Sequence, residues 1–152
     1  MAKYLHMLTV MSKKEKYRRD SIDSDISKNI YIPSCIFSQK LSSTETIIKF
    51  LKESYDLNFQ QIASLLNKKR QSVWRSYKSA AKKHKEALQV TNLFYPIPIH
   101  IFKDSKLSLL ETLVVFLKDS HKLTFSEISA ILMRDQRTVW TSYSRARKKN
   151  AK

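Results

Sequence analysis

The feature that most constrains this chain is an internal duplication. Sliding the 152-residue sequence against itself by 66 positions aligns Leu41–Lys83 with Leu107–Lys149 without a gap, and 19 of the 43 pairs are identical. The shared positions include Leu41/Leu107, Glu45/Glu111, Phe50/Phe116, Leu51/Leu117, Phe59/Phe125 and Ile62/Ile128. They continue through Leu66/Leu132, Val73/Val139, Trp74/Trp140, Ser76/Ser142, Tyr77/Tyr143 and Ala80/Ala146. A one-residue offset extends the match upstream, setting Ile32-Pro33 and Ile36-Phe37 against Ile97-Pro98 and Ile101-Phe102. Each copy is one supersecondary unit of about 55 residues. A core that small is marginal alone, so the copies are expected to pack on each other or the chain to form a homodimer.

Helix starts are legible inside each copy. Ser42-x-x-Glu45 and Ser108-x-x-Glu111 are capping boxes, in which hydroxyl and carboxylate satisfy amides that a helix start leaves unpaired. They predict first helices over 43–54 and 109–120, with apolar stripes of Ile47, Ile48, Leu51 and of Leu110, Leu113, Val114, Leu117. Asn58-x-x-Gln61 and Thr124-x-x-Glu127 predict a short second helix ending near Leu66 and Leu132. Four polar-leaning residues follow, and then a third helix buries Val73, Tyr77, Ala80 or Val139, Tyr143, Ala146 at i, i+4, i+7. Asp135 can cap the second of these; the first has Lys69, a poor cap. Short helix, turn and long helix make a helix-turn-helix pattern. The expected fold is all-α: two tandem three-helix helix-turn-helix units joined by an extended, Pro-containing apolar segment. The divisions are a basic and polar arm over 1–29, a first unit over 30–88 and a second over 89–152.

The charge is sorted. Lys and Arg outnumber Asp and Glu 29 to 13, a formal charge of +16 that calls for a polyanionic partner. Residues 67–85 hold eight basic residues and no acid. The matching stretch of copy two holds Arg134, Arg137, Arg145, Arg147, Lys148 and Lys149 against one acid, Asp135. Acids gather in the first helices, at Glu45, Glu53, Asp56, Glu111 and Asp119. The third helix of each copy is thus the one placed to enter a DNA major groove. Its first turn and a half offers Arg70, Gln71, Ser72 and Arg75, or Gln136, Arg137, Thr138 and Thr141, as base readers; Arg suits the guanine edge and Gln the adenine edge. The swapped Arg-Gln and Gln-Arg order implies two unequal half-sites, with drift at exposed positions as the alternative. Lys68, Lys69, Lys78, Lys82, Lys83, Arg134, Arg145, Lys148 and Lys149 are the phosphate candidates. Trp74 and Trp140 are expected to pack against the first helix or the other copy, with DNA contact as the alternative, and Tyr77 and Tyr143 are assigned to the core.

Phe125-Ser-Glu-Ile-Ser-Ala-Ile-Leu132, Arg137-Thr-Val139 and Arg145-Ala-Arg-Lys-Lys149 resemble region 4, the DNA-binding part of sigma-70-type transcription factors, and Phe59–Lys83 is similar but looser. The resemblance implies a module that binds double-stranded DNA, most simply a sequence-specific transcriptional regulator. An architectural or genome-packaging protein without base readout, and a module that docks on the transcription machinery, stay open beside it. The chain departs from the family where a turn glycine is usual, with Asn67 or Met133, and where an apolar turn residue is usual, with Lys68 or Arg134. Met tolerates the left-handed conformation poorly, so the second turn is expected to have another geometry. The chain also has no room for the core-promoter regions of a complete sigma factor.

Other chemistry finds little support. Glycine is absent, which excludes Gly-dependent phosphate cradles. The single Cys35 fits a reducing, cytoplasmic, nucleoid-associated setting and reads as a small buried hydrophobe. His6, His84, His100 and His121 lack metal-ligand spacing, so no metal or cofactor is expected. No nucleophile–base constellation exists to make an enzyme, and no small-molecule substrate is expected. No apolar run approaches the roughly 18 residues of a membrane span, and Met1 to Met11 do not read as a signal peptide. The stretch from Gln89 to Lys106, with Pro96 and Pro98 among Phe94, Tyr95, Ile97, Ile99, Ile101 and Phe102, is expected to be extended and packed, like Tyr31–Phe37. Lys13 to Arg19 would let the arm follow a DNA backbone or serve as a solubilising tail.

Overall fold

Capping decides where the helices begin. The side chains of Ser42, Asn58, Ser108 and Thr124 each accept a bond from the amide three residues on, and the side-chain oxygens of Glu45, Gln61, Glu111 and Glu127 accept one in turn from the cap residue's own amide. The protein was described from a computed structural model covering residues 27–103 and 106–152. The arm expected over 1–29, with its basic cluster, falls almost wholly outside the described residues. The first unit holds α1 (Ser43–Ser54), α2 (Phe59–Leu66) and α3 (Arg70–Lys83). The second holds α4 (Leu109–Val115), α5 (Phe125–Leu132) and α6 (Gln136–Asn150). A π-helical turn, Phe116–Ser120, prolongs α4, so the helix expected over 109–120 is realised in two pieces. Asp135 caps α6 by accepting from the Arg137 amide, whereas Lys69 offers α3 no side-chain bond.

Each unit turns from its second to its third helix through a left-handed residue. Asn67 has φ 51, ψ 50 and Met133 has φ 51, ψ 45, so the different geometry expected at Met133 does not occur. In both turns a 6→1 backbone bond closes the helix end, Lys68 N to Ala63 O at 2.9 Å and Arg134 N to Ser129 O at 3.1 Å. These bonds offset a left-handed penalty of about 1–2 kcal/mol for a residue with a Cβ.

The two units share one core. Ile47, Ile48, Leu51, Ile62, Leu66 and Val73 of the first are continuous with Leu113, Val114, Leu117, Ile128, Leu132 and Val139 of the second. What joins them is the pair of lead-in segments. β1 (Tyr31–Ile32) and β2 (Ile97–Pro98) run antiparallel, with Ile32 opposite Ile97 and Tyr31 opposite Pro98. Both isoleucines are fully buried. A 3₁₀ turn follows each strand, Ser34–Ile36 and Ile99–Lys103. The first turn packs on α5 and the second on α2, so each unit's lead-in braces the other unit. Within the joining segment Ile97–Pro98 forms the strand and Ile99–Lys103 coils into the 3₁₀ turn. Phe94, expected to be packed, is 70 % exposed, because the chain reverses at Tyr95 (φ 50) and turns the preceding side chain outward.

Candidate nucleic-acid interface

α3 and α6 are held by their apolar faces, and this sets what they display. Val73 and Val139 are fully buried, as are Ala80 and Ala146 two helical turns further on. With these positions inward, the first turns of both helices point outward. Arg70, Gln71, Ser72 and Arg75 are exposed on α3; Gln136, Arg137 and Thr138 are exposed on α6, with Thr141 half-buried. Arg70, Gln71, Arg75, Gln136 and Arg137 make no side-chain hydrogen bond or ion pair to another described residue.

Trp74 and Trp140 do not pack as expected. They are 43 % and 57 % exposed, because each follows its buried valine by one step, about 100° around the helix, and so faces away from the core. The Lys78 ammonium lies 4.6 Å from the centre of the Trp74 ring. Arg70, Gln71 and Trp74 line a shallow open concavity of about 460 Å³. Asp135, Gln136, Arg137 and Trp140, with Phe125, line its counterpart of about 450 Å³. Two matching faces thus combine basic, amide and aromatic side chains, a set suited to base edges and thymine methyl groups.

The cations divide into two groups. Lys68, Lys69, Lys78, Lys82, Arg145 and Lys148 are exposed and lie in or beside the third helices. Lys83 and Lys149 reach back instead to the first helices, 2.8 Å from the carboxylates of Glu45 and Glu111. Burial pushes the Glu45 carboxyl up, but bonds from Lys83, Ser79 and the Ser42 amide outweigh it and leave its pKa below the ordinary 4.5. Glu111 follows the same pattern: burial raises it, and Lys149 with the Ser108 amide brings it below 4.5. Arg134 is engaged within the chain as well. Its guanidinium donates to the carbonyls of Ser38, at 3.0 Å, and Leu41, tying the second unit's turn to the first unit's lead-in.

Tyr77 and Tyr143 are half-buried and span from third helix to first, donating to Glu53 at 3.3 Å and Asp119 at 2.9 Å. Burial and the Glu53 charge raise the Tyr77 pKa, and the hydrogen bond to Asp119 does so for Tyr143. Cys35 is only half-buried, with its sulfur 3.2 Å from the Asn92 carbonyl, because it sits on the outer side of a one-turn 3₁₀ helix. Among the described residues no three His, Cys, Asp or Glu side chains gather as metal ligands. None of the described helices is long and apolar enough to cross a membrane.

Two residues with tertiary roles escaped the sequence reading. Arg134 looked like one more surface cation, and nothing local marks it as a tie between units. Lys49 is fully buried and pairs with Glu53 at 2.6 Å. Its counterpart in the second copy is Val115, an apolar signal that position 49 faces inward. No protein-family model matches this sequence, and neither the curated proteins nor the solved structures contain a match.

Proposed function

We propose that this chain binds double-stranded DNA through two helix-turn-helix units and acts as a sequence-specific transcriptional regulator. The observation that carries this is the duplicated face at the start of α3 and α6. At matching places on two helices, side chains able to read bases stand exposed and unengaged, ringed by exposed lysines and arginines. α2 packs on α3 and α5 packs on α6, as the first helix of a helix-turn-helix pair accompanies its recognition helix. Trp74 and Trp140, exposed at both places, add an aromatic surface to each face. The remaining cations supply the sequence-independent part of the affinity, which falls steeply with salt.

The test is a competition titration at a fixed salt of about 150 mM, in which duplex enriched from random DNA is challenged with unselected duplex. A preference of about 10³ or more, removed by Arg137→Ala or Arg70→Ala, is the expected result. Tight binding with near-equal competition, insensitive to those substitutions, would reassign the chain to an architectural role. Absence of binding to either duplex would leave docking on the transcription machinery as the remaining role.

A further inference from the structure

A direct repeat in sequence most simply builds units related by translation, in which one face of the first meets a different face of the second. This chain has the other pattern. β1 and β2 are the same segment of the two copies, and they run antiparallel with Ile32 opposite its own counterpart, Ile97. A residue that faces its counterpart lies beside a twofold axis. The surrounding contacts obey the same axis. The 3₁₀ turn of each copy packs on the second helix of the other, and α1 packs against α4. The carbonyls of Ser38 and Lys103, counterparts under the same 65-residue shift, each accept from the other unit's turn: Arg134 Nη1 at 3.0 Å and Asn67 Nδ2 at 3.4 Å.

Building on the DNA-binding reading above, we infer that the chain is a covalently fused pseudo-dimer whose target is an inverted repeat of two unequal half-sites, occupied by a single chain. A twofold axis reverses the direction of α6 relative to α3 along any duplex laid across it. A B-form duplex has dyads of its own perpendicular to its length. Two units related by a twofold therefore meet the two strands equivalently when the half-sites are inverted, and not when they are repeated in the same direction. The half-sites are unequal because all four reading positions differ, Arg70/Gln136, Gln71/Arg137, Ser72/Thr138 and Arg75/Thr141. The shared core supplies in one chain the interface that other helix-turn-helix proteins obtain from a second copy.

The test exploits that inequality. The full chain and a variant carrying Gln136→Arg, Arg137→Gln, Thr138→Ser and Thr141→Arg, which gives α6 the reading set of α3, are each used to enrich random duplex DNA. The expected motif is an imperfect inverted repeat for the natural chain and a palindrome for the variant. Each complex should contain one chain per duplex by sedimentation. The palindrome should outcompete a direct repeat of the same half-sites by about 100-fold or more. Enrichment of a direct repeat or of one half-site only, or two chains per duplex, would overturn the inference while leaving DNA binding intact. Failure of the natural chain to bind any duplex would overturn both the inference and the function it rests on. Loss of binding by the variant alone shifts the decision to the natural chain's own motif and stoichiometry, which decide in the same way.

Discussion

Across the second and third helices the two copies agree at four core positions and differ at the exposed first turn of the third helix. Ile62/Ile128, Leu66/Leu132, Val73/Val139 and Ala80/Ala146 are identical pairs and all are buried. The four proposed reading positions on α3 and α6 contain no identical pair. Packing at close density penalises any change of volume, whereas an exposed helical turn accepts any residue that keeps the helix. One scaffold was thus retained while two displays diverged. Trp74 and Trp140 break the pattern, identical yet exposed, which sets them apart from their neighbours on the same turn. The copies also differ at the junction: Arg134 bridges the units where Lys68 is exposed, and Lys49 is buried where Val115 is only partly so.

Substitutions can break or sharpen this comparison. The largest effect is expected at the axis. Ile32→Ala and Ile97→Ala should each destabilise by about 2–5 kcal/mol in urea unfolding, and by similar amounts, because both are fully buried against each other. A large cost at one position and none at the other would contradict a shared axis. Arg134→Ala should cost about 1.5–3 kcal/mol by stranding two carbonyls that accept from a charge, while Lys68→Ala stays within about 0.5 kcal/mol. Equal costs would remove the asymmetry at the junction.

Smaller effects follow at the remaining differences. Lys49→Met together with Glu53→Gln removes the whole ion pair, imitating the apolar Val115 of the other copy, and should leave stability within about 1 kcal/mol of the natural chain, or raise it. A loss well beyond that would make the Lys49–Glu53 pair a stabilising element in its own right. Met133→Gly should stabilise by about 0.5–1 kcal/mol, relieving the left-handed strain that a Cβ brings. Asn67→Gly should gain less, since Asn tolerates that conformation. Equal gains would mean the two turns are equally strained. The smallest effect is on acid stability. Glu45 and Glu111 titrate lower in the folded chain than in the unfolded one, so the folded chain binds fewer protons as pH falls. Their contribution is complete above about pH 4.5 and is lost as pH drops through the lower folded values. Each half-exposed pair is worth under about 1 kcal/mol. Glu45→Gln with Glu111→Gln keeps the capping boxes and should flatten the stability–pH curve in that window. An unchanged curve would assign acid sensitivity to other carboxyls.

Much of the fold was readable because its signals are local. A cap, a carboxamide or carboxylate three residues on and an apolar period of 3.6 all lie within one or two turns, so helix starts at 43, 59, 109 and 125 followed directly. The candidate site was half readable. Which residues occupy the first turn of α3 and α6 follows from the period, but whether Trp74 and Trp140 turn inward depends on what else covers them. That Lys83, Lys149 and Arg134 have partners within the chain is not legible, because a sequence shows the charge of a cation and not its partner. The left-handed turn at Met133 is not legible because residue preference alone disfavours it and says nothing of the backbone bonds that close the turn.

By itself the sequence determined the duplication, the helical units, the segregation of basic charge and the identity of the exposed first turns, all of which rest on residue type and short-range spacing. Only the tertiary structure decided that the lead-in segments pair across an axis, that each braces the other unit, and which cations are already engaged. Those outcomes depend on contacts between residues 36 to 96 positions apart, such as Asn67 with Lys103 and Arg134 with Ser38. A periodicity within one copy carries no information on how that copy meets its twin, because translation and twofold rotation bury the same apolar faces.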